Sequence, residues 1–150
     1  METLEFKIRI KAPATKVWEV LWKDDTYKEW TGAFCEGSYA ISDWNEGDKI
    51  HFMSPNGEGM NSIIEKKIPN EYMAFKHIGE IKDHKELPLD EETKKWSGAM
   101  ETYRLTPDDE FVDLTAQVDV VEKYIDYFKE AFPKGLEKVK ELAERVKSEE

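Results

Sequence analysis

The first segment, Leu4-Glu5-Phe6-Lys7-Ile8-Arg9-Ile10, places its apolar residues strictly on even positions. Period two predicts a strand with one buried and one wet face. Pro13 ends that strand and suits the first turn of a helix over Ala14 to Trp22, since proline's missing N–H is unpaired there anyway. Val17, Trp18 and Leu21 supply that helix with an apolar stripe. Asp24 or Asp25 then caps a second short helix reaching Trp30.

From Ala33 to Val121 the pattern is that of strands. Ser38 to Ser42 is weak. Lys49 to Ser54 is clearer, with Ile50 and Phe52 on one face and Lys49, His51 and Met53 on the wet one. Pro55-Asn56-Gly57 marks a hairpin leading to Gly59–Ile68, and Pro69-Asn70-Glu71 turns into Tyr72–Ile81. Gly98–Thr106 and Phe111–Val121 pair about Pro107-Asp108-Asp109, and Leu114, Ala116, Val118 and Val120 alternate with polar residues. The charged stretch Glu80 to Lys95 lacks periodicity and reads as a long loop, or a short and poorly packed helix, with the option of acting as a lid.

The last segment, Glu122 to Ser148, is helical. Phe128, Phe132, Leu136, Val139, Ala143 and Val146 step by three or four and share a face. Pro133 interrupts the run, so a kink or break is expected near Ala131-Phe132. Strand, two short helices, about six more strands and a long helix describe an α+β domain. A curved antiparallel sheet of about seven strands, wrapped around the C-terminal helix, leaves room for an internal cavity.

Composition changes this picture little. The 150 residues suit a single domain, 1–150, and 39% hydrophobic with 12% aromatic residues supply a packed core. The net charge of −11 disfavours nucleic acid as a partner. A lone Cys35 rules out an internal disulfide, and the absence of a signal-type or membrane-spanning apolar run points to a cytoplasmic protein with no membrane span.

Specific residues add a family likeness. Ala12-Pro13-Ala14-Thr15-Lys16-Val17-Trp18 at the first corner, Trp30, Trp44-Asn45-Glu46-Gly47-Asp48 and Gly98-Ala99-Met100-Glu101-Thr102-Tyr103-Arg104-Leu105 carry it, with Pro133-Lys134-Gly135-Leu136-Glu137-Lys138-Val139 at the end. On these the chain resembles the START-like (SRPBCC, helix-grip) superfamily, in the branch named after the activator of the heat-shock chaperone ATPase. The resemblance covers nearly the whole chain and implies the helix-grip fold. It implies no fixed catalytic motif or cofactor, because superfamily members bind lipids, sterols, hormones or polyketides, and some act as cyclases.

Candidate chemistry is sparse. His51, His77 and His84 lack metal-ligand spacing, so no metal site is assigned. Cys35 and the serines stand in no nucleophile context, so no catalytic residue is assigned. Glu101 shares a strand face with Tyr103, and His77 with Met73 and Phe75. Glu101 and His77 are read as projecting into the cavity, where Glu101 would serve as a proton donor. The alternative is that Glu101 ends a strand in an ion pair and only fixes structure. Trp18, Phe52, Phe75, Tyr103, Phe128 and Phe132 are the aromatic candidates for its walls, while Trp44 and Trp96 beside turns are candidate gates.

The leading expectation is non-catalytic binding of a small apolar or amphipathic molecule by Trp18, Phe52, Met73, Phe75, His77, Glu101, Tyr103, Phe128 and Phe132. Two alternatives stand beside it. One is a cyclase- or hydrolase-type enzyme using Glu101 and His77 as acid and base. The other is a protein-interaction or co-chaperone-like regulatory module. Oligomeric state is not legible in the sequence.

Overall fold

A computed structural model describes residues 1–145. The chain runs β1 (Glu2–Ile10), α1 (Ala14–Trp22), α2 (Asp24–Thr31), β2 (Tyr39–Ile41), β3 (Lys49–Met53), β4 (Gly59–Ile68), β5 (Tyr72–Lys82) and β6 (Lys85–Glu86). It continues with α3 (Glu91–Lys94), β7 (Ala99–Asp108), β8 (Phe111–Val120), a 3-10 turn over Glu122–Tyr124, and α4 (Ile125–Glu144). Seven strands form one antiparallel sheet in the order β1-β8-β7-β5-β4-β3-β2, and the two-residue β6 pairs with β5 off that path. This is the α+β helix-grip arrangement that the order of elements implies.

The alternation in β1 survives intact in the register. Leu4, Phe6, Ile8 and Ile10 stand opposite Val118, Ala116, Leu114 and Val112 of β8, and all eight face the core. Between them the wet-face partners make polar contacts, such as Arg9 to Asp113 at 2.9 Å and Gln117 to Glu5 at 2.8 Å. α4 packs over this face, with Leu136, Val139, Leu142 and Ala143 buried. Phe132 stacks on Phe6 with ring centroids 4.8 Å apart and planes 9° from parallel. Gly135 lets α4 approach α2 closely, because a β-carbon there would lie 3.0 Å from the Phe34 ring and 3.4 Å from the Trp30 carbonyl oxygen.

The expected break at Pro133 does not occur. α4 is one helix from Ile125 to Glu144 with Pro133 inside it. Pro133 and Lys129, the residue four earlier whose carbonyl loses its intrahelical partner, are both exposed. Water can therefore satisfy the orphaned carbonyl. Phe132 and Leu136, either side of the proline, remain buried on one face and hold the helix together. Val146 and Ser148, assigned to the same helix from the sequence, lie outside the described residues.

Two other expectations change. Met53 is only 4% exposed rather than wet. It stands opposite Gly59, and a β-carbon on that glycine would fall 2.9 Å from the Met53 sulfur, so the thioether occupies space a side chain would need. The stretch 80–95 is not a plain loop, and the alternative short helix is present as α3, with only Thr93 buried. Asp83 and His84 take positive φ of 53° and 62°, turning β5 back into β6. There the Glu86 carboxylate accepts from Lys49 at 3.0 Å and lies 2.9 Å from His51. Lys49 and His51 together hold that carboxyl below the usual glutamate range. Asp90 caps α3 by accepting from the Thr93 N–H at 2.8 Å.

Candidate functional site

α1 and α2 meet at Lys23, whose extended backbone (φ −72°, ψ 140°) turns the chain sharply. The corner is clamped by the Trp30 indole, which donates to the Leu21 carbonyl at 3.0 Å. It throws Trp22 toward Phe75 and Tyr103 of the sheet, at centroid distances of 5.3 and 5.1 Å. Tyr27 and Trp30 follow at three-residue spacing on the buried face of α2 and pack edge-on at 5.6 Å. Such contacts are worth about 0.5–1.5 kcal/mol each beyond area burial. The aromatic end of the core is thus stiff.

Beside this cluster lies a cleft of about 610 Å³. Trp22, Tyr27, Trp30 and Phe34 line one side, and Tyr127, Phe128 and Phe132 of α4 another. Phe52, Met60 and Tyr39, with Glu101 and Tyr103, contribute from the sheet, and Cys35 comes from the connection between α2 and β2. Cys35 is exposed. Tyr127 is tied down by donating its hydroxyl to the Phe34 carbonyl.

Register explains how the polar groups converge. Phe75 pairs with Glu101 and His77 with Ala99 across β5 and β7, so His77 and Glu101 are diagonal neighbours on one face. A register shift between Asn61 and Ser62 in β4 sets Ser62 opposite His77. The side chains form one chain of hydrogen bonds. Tyr103 donates its hydroxyl to Glu101 Oε2, His77 Nε2 lies 2.9 Å from Glu101 Oε1, and Ser62 Oγ lies 2.7 Å from His77 Nδ1.

Ser62 Oγ has no other partner among the described residues. The Ser62 hydroxyl thus holds His77 at Nδ1 while Nε2 faces Glu101, fixing the ring orientation. Burial comes first, and the Glu101 charge second, in pushing the Tyr103 phenol well above its ordinary range. The Tyr27 phenol is raised by the same two causes in the same order. Trp22 adds an indole N–H that is buried without an acceptor among the described residues.

Of the residues singled out from the sequence, Phe52, Glu101, Tyr103, Phe128 and Phe132 come together in the cleft lining. His77 is 7% exposed and stands behind Glu101, outside the lining. Met73 and Phe75 are fully buried core, and Trp18 is half-buried against Trp22 at 6.1 Å. Trp44 packs on Trp22, Tyr27 and Phe75, and neither it nor Trp96 lines the cleft. Sequence reasoning missed Trp22, Tyr27, Trp30 and Phe34. The Tyr27, Trp30, Thr31 spacing marked a buried stripe of α2, but only the corner at Lys23 gave Trp22 its place. Among the described residues no set of three His, Cys, Asp or Glu side chains is arranged to hold a metal.

The family described as "Activator of Hsp90 ATPase homolog 1-like protein" matches residues 11–144. The chain belongs to that family. Among solved structures, it is similar to the Aha1 dimer from Colwellia psychrerythraea, with TM-score 0.74 and 20% identity over 99% of this chain and 100% of that one. Protein MLL2253 from Mesorhizobium loti gives TM-score 0.73 and 16% identity over 94% and 96% of the two chains. DynU16, a protein of the dynemicin biosynthetic locus, gives TM-score 0.65 and 11% identity over 94% of this chain but 46% of its own. At these identities the likeness is one of fold. No curated protein sequence matches the chain. Among the described residues no helix is long and apolar enough to cross a membrane.

Proposed function

We propose that this activator-family domain binds a small amphipathic molecule in the cleft without transforming it. The observation that carries this reading is the cleft itself: about 610 Å³ bounded by aromatic rings, with the Glu101 carboxylate held from behind by Tyr103 and His77. Clefts of roughly 300–1,000 Å³ with few polar groups are typical small-molecule sites. Covering about 300 Å² of ligand surface would contribute about 7 kcal/mol before ordering costs, enough for micromolar binding.

The geometry supports binding over nucleophilic turnover. In a hydrolytic triad the nucleophile faces the substrate. Here the order runs the other way, with Glu101 at the cleft and Ser62 fully buried behind His77. Tyr103 and His77 are positioning residues in this reading, holding the carboxylate in one rotamer.

Native mass spectrometry of the purified protein tests it, combined with maleimide labelling of Cys35 in the lining. A retained small molecule that slows labelling is the expected result. Empty protein, with no change in labelling on adding extracted small molecules, would overturn the proposal. Family membership favours a second reading, a regulatory module acting on a chaperone. Stimulation of an Hsp90-type ATPase by the added chain would establish that one.

A further inference from the structure

We propose that the occupant of the cleft is an organic monocation: an apolar body carrying one ammonium-type head seated against Glu101. This inference rests on the cleft-binding reading and names the chemistry of its ligand.

The first ground is a cleft carboxylate with no lysine or arginine partner among the described residues. Glu101 has 21% of its side chain exposed, so it is neither sealed in the core nor free in solvent. Among the described residues it forms no ion pair with lysine or arginine, and its neighbours are the Tyr103 hydroxyl and His77. Apart from the His77 ring, no cationic side chain stands in the network of Ser62, His77, Glu101 and Tyr103 among the described residues. A carboxylate has about four acceptor positions, and Tyr103 and His77 occupy two of them.

The second ground is the walls. Trp22, Trp30 and Tyr103 converge in edge-on contacts of 5.1–6.4 Å as a nearly buried floor, and the half-buried rings of Phe34, Phe52 and Phe128 line the same cleft as Glu101. Aromatic faces attract a cation through their quadrupole, most strongly when the site is partly desolvated. Aromatic walls with a carboxylate are the recognised chemistry for an alkylammonium group. They are poor chemistry for an anion, which would meet Glu101 with only Lys82 in the lining to offset it.

The remaining lining leans the same way. Glu58 and Glu80 join Glu101 against the single Lys82, and no arginine lines the cleft among the described residues. Fatty acids, acyl phosphates and other anionic amphiphiles are therefore disfavoured, and an amine-bearing amphiphile is favoured.

Three probes sharing one body test this: 4-phenylbutylamine, 4-phenylbutanol and 4-phenylbutyrate, titrated into the protein by calorimetry at pH 7. The amine is expected to bind at least tenfold tighter than the alcohol, and the butyrate most weakly. In E101Q the gap between amine and alcohol should close to under threefold. Alcohol or butyrate binding the wild-type protein as tightly as the amine would overturn the charge inference and leave the cleft reading standing. An unchanged gap in folded E101Q would overturn it too. If no probe binds at millimolar concentration, the cleft reading falls and this inference falls with it. The comparison among probes uses the wild-type protein, so it does not depend on the variant folding.

Discussion

The two halves of α4 do different work on the same face of the sheet. From Gly135 to Ala143 the helix buries Leu136, Val139, Leu142 and Ala143 in the core it forms with β1 and α1. From Ile125 to Phe132 it presents Tyr127 and Phe128, exposed and half-buried, beside a cleft. One half closes a core by shape, and the other stops short of closing it. Aliphatic side chains interdigitate to crystal-like density, whereas large flat rings held edge-on by neighbours leave gaps that no rotamer fills.

The sharpest way to break this contrast is at its hinge. F132A removes the ring that stacks on Phe6 and also lines the cleft, so it should cost about 4 kcal/mol of stability and weaken ligand binding as well. Urea denaturation and calorimetric titration of the same variant would check both. L136A lies one turn further into the aliphatic half. It should cost about 3 kcal/mol yet leave affinity within twofold once the folded fraction is accounted for. A matching loss of affinity in L136A would show the two halves to be one unit.

Titration separates the ends in another way. Tyr27 and Tyr103, both raised, lie at the aromatic end. A folded phenol held above its unfolded value of about 10 contributes stability that is complete below pH 10 and is lost as pH rises further. Each such group predicts a fall of about 1.4 kcal/mol per pH unit above pH 10, and the more exposed Tyr127, also raised by burial, adds a smaller share. Y103F should reduce the slope by about 1.4 kcal/mol per pH unit in urea titrations at stepped pH, and L136A should leave it unchanged. The smallest effect belongs to F128A. Its ring is half-buried, so the variant should lose about 1 kcal/mol of stability while affinity for a cleft ligand drops about tenfold. F128A that binds as wild type would move the site away from α4.

Much of the fold was legible because two periodicities carry it. The even-numbered apolar residues of β1 and the alternation through β8 fixed both strands and their buried faces, and the three-and-four spacing fixed the face of α4. The family likeness on the Pro13 corner and on the segment around Glu101 agreed with them. The candidate site was half legible. Glu101, Tyr103, Phe52, Phe128 and Phe132 carried a signal, because strand alternation and helix period say which face a residue takes. His77 showed the limit, since a shared face does not distinguish a residue lining a gap from one standing behind another side chain.

What the sequence determined on its own, then, was which residues turn inward, because that depends on local backbone geometry repeated every two or 3.6 residues. Tertiary structure alone decided where inward-facing residues meet and where they fall short. The bend at Lys23 delivered Trp22 to the cleft in place of Trp18. The register shift in β4 joined Ser62 to His77. The packing on both sides of Pro133 kept α4 whole where proline by itself predicts a break. Each outcome depends on contacts between segments far apart in the chain, to which a local period is blind.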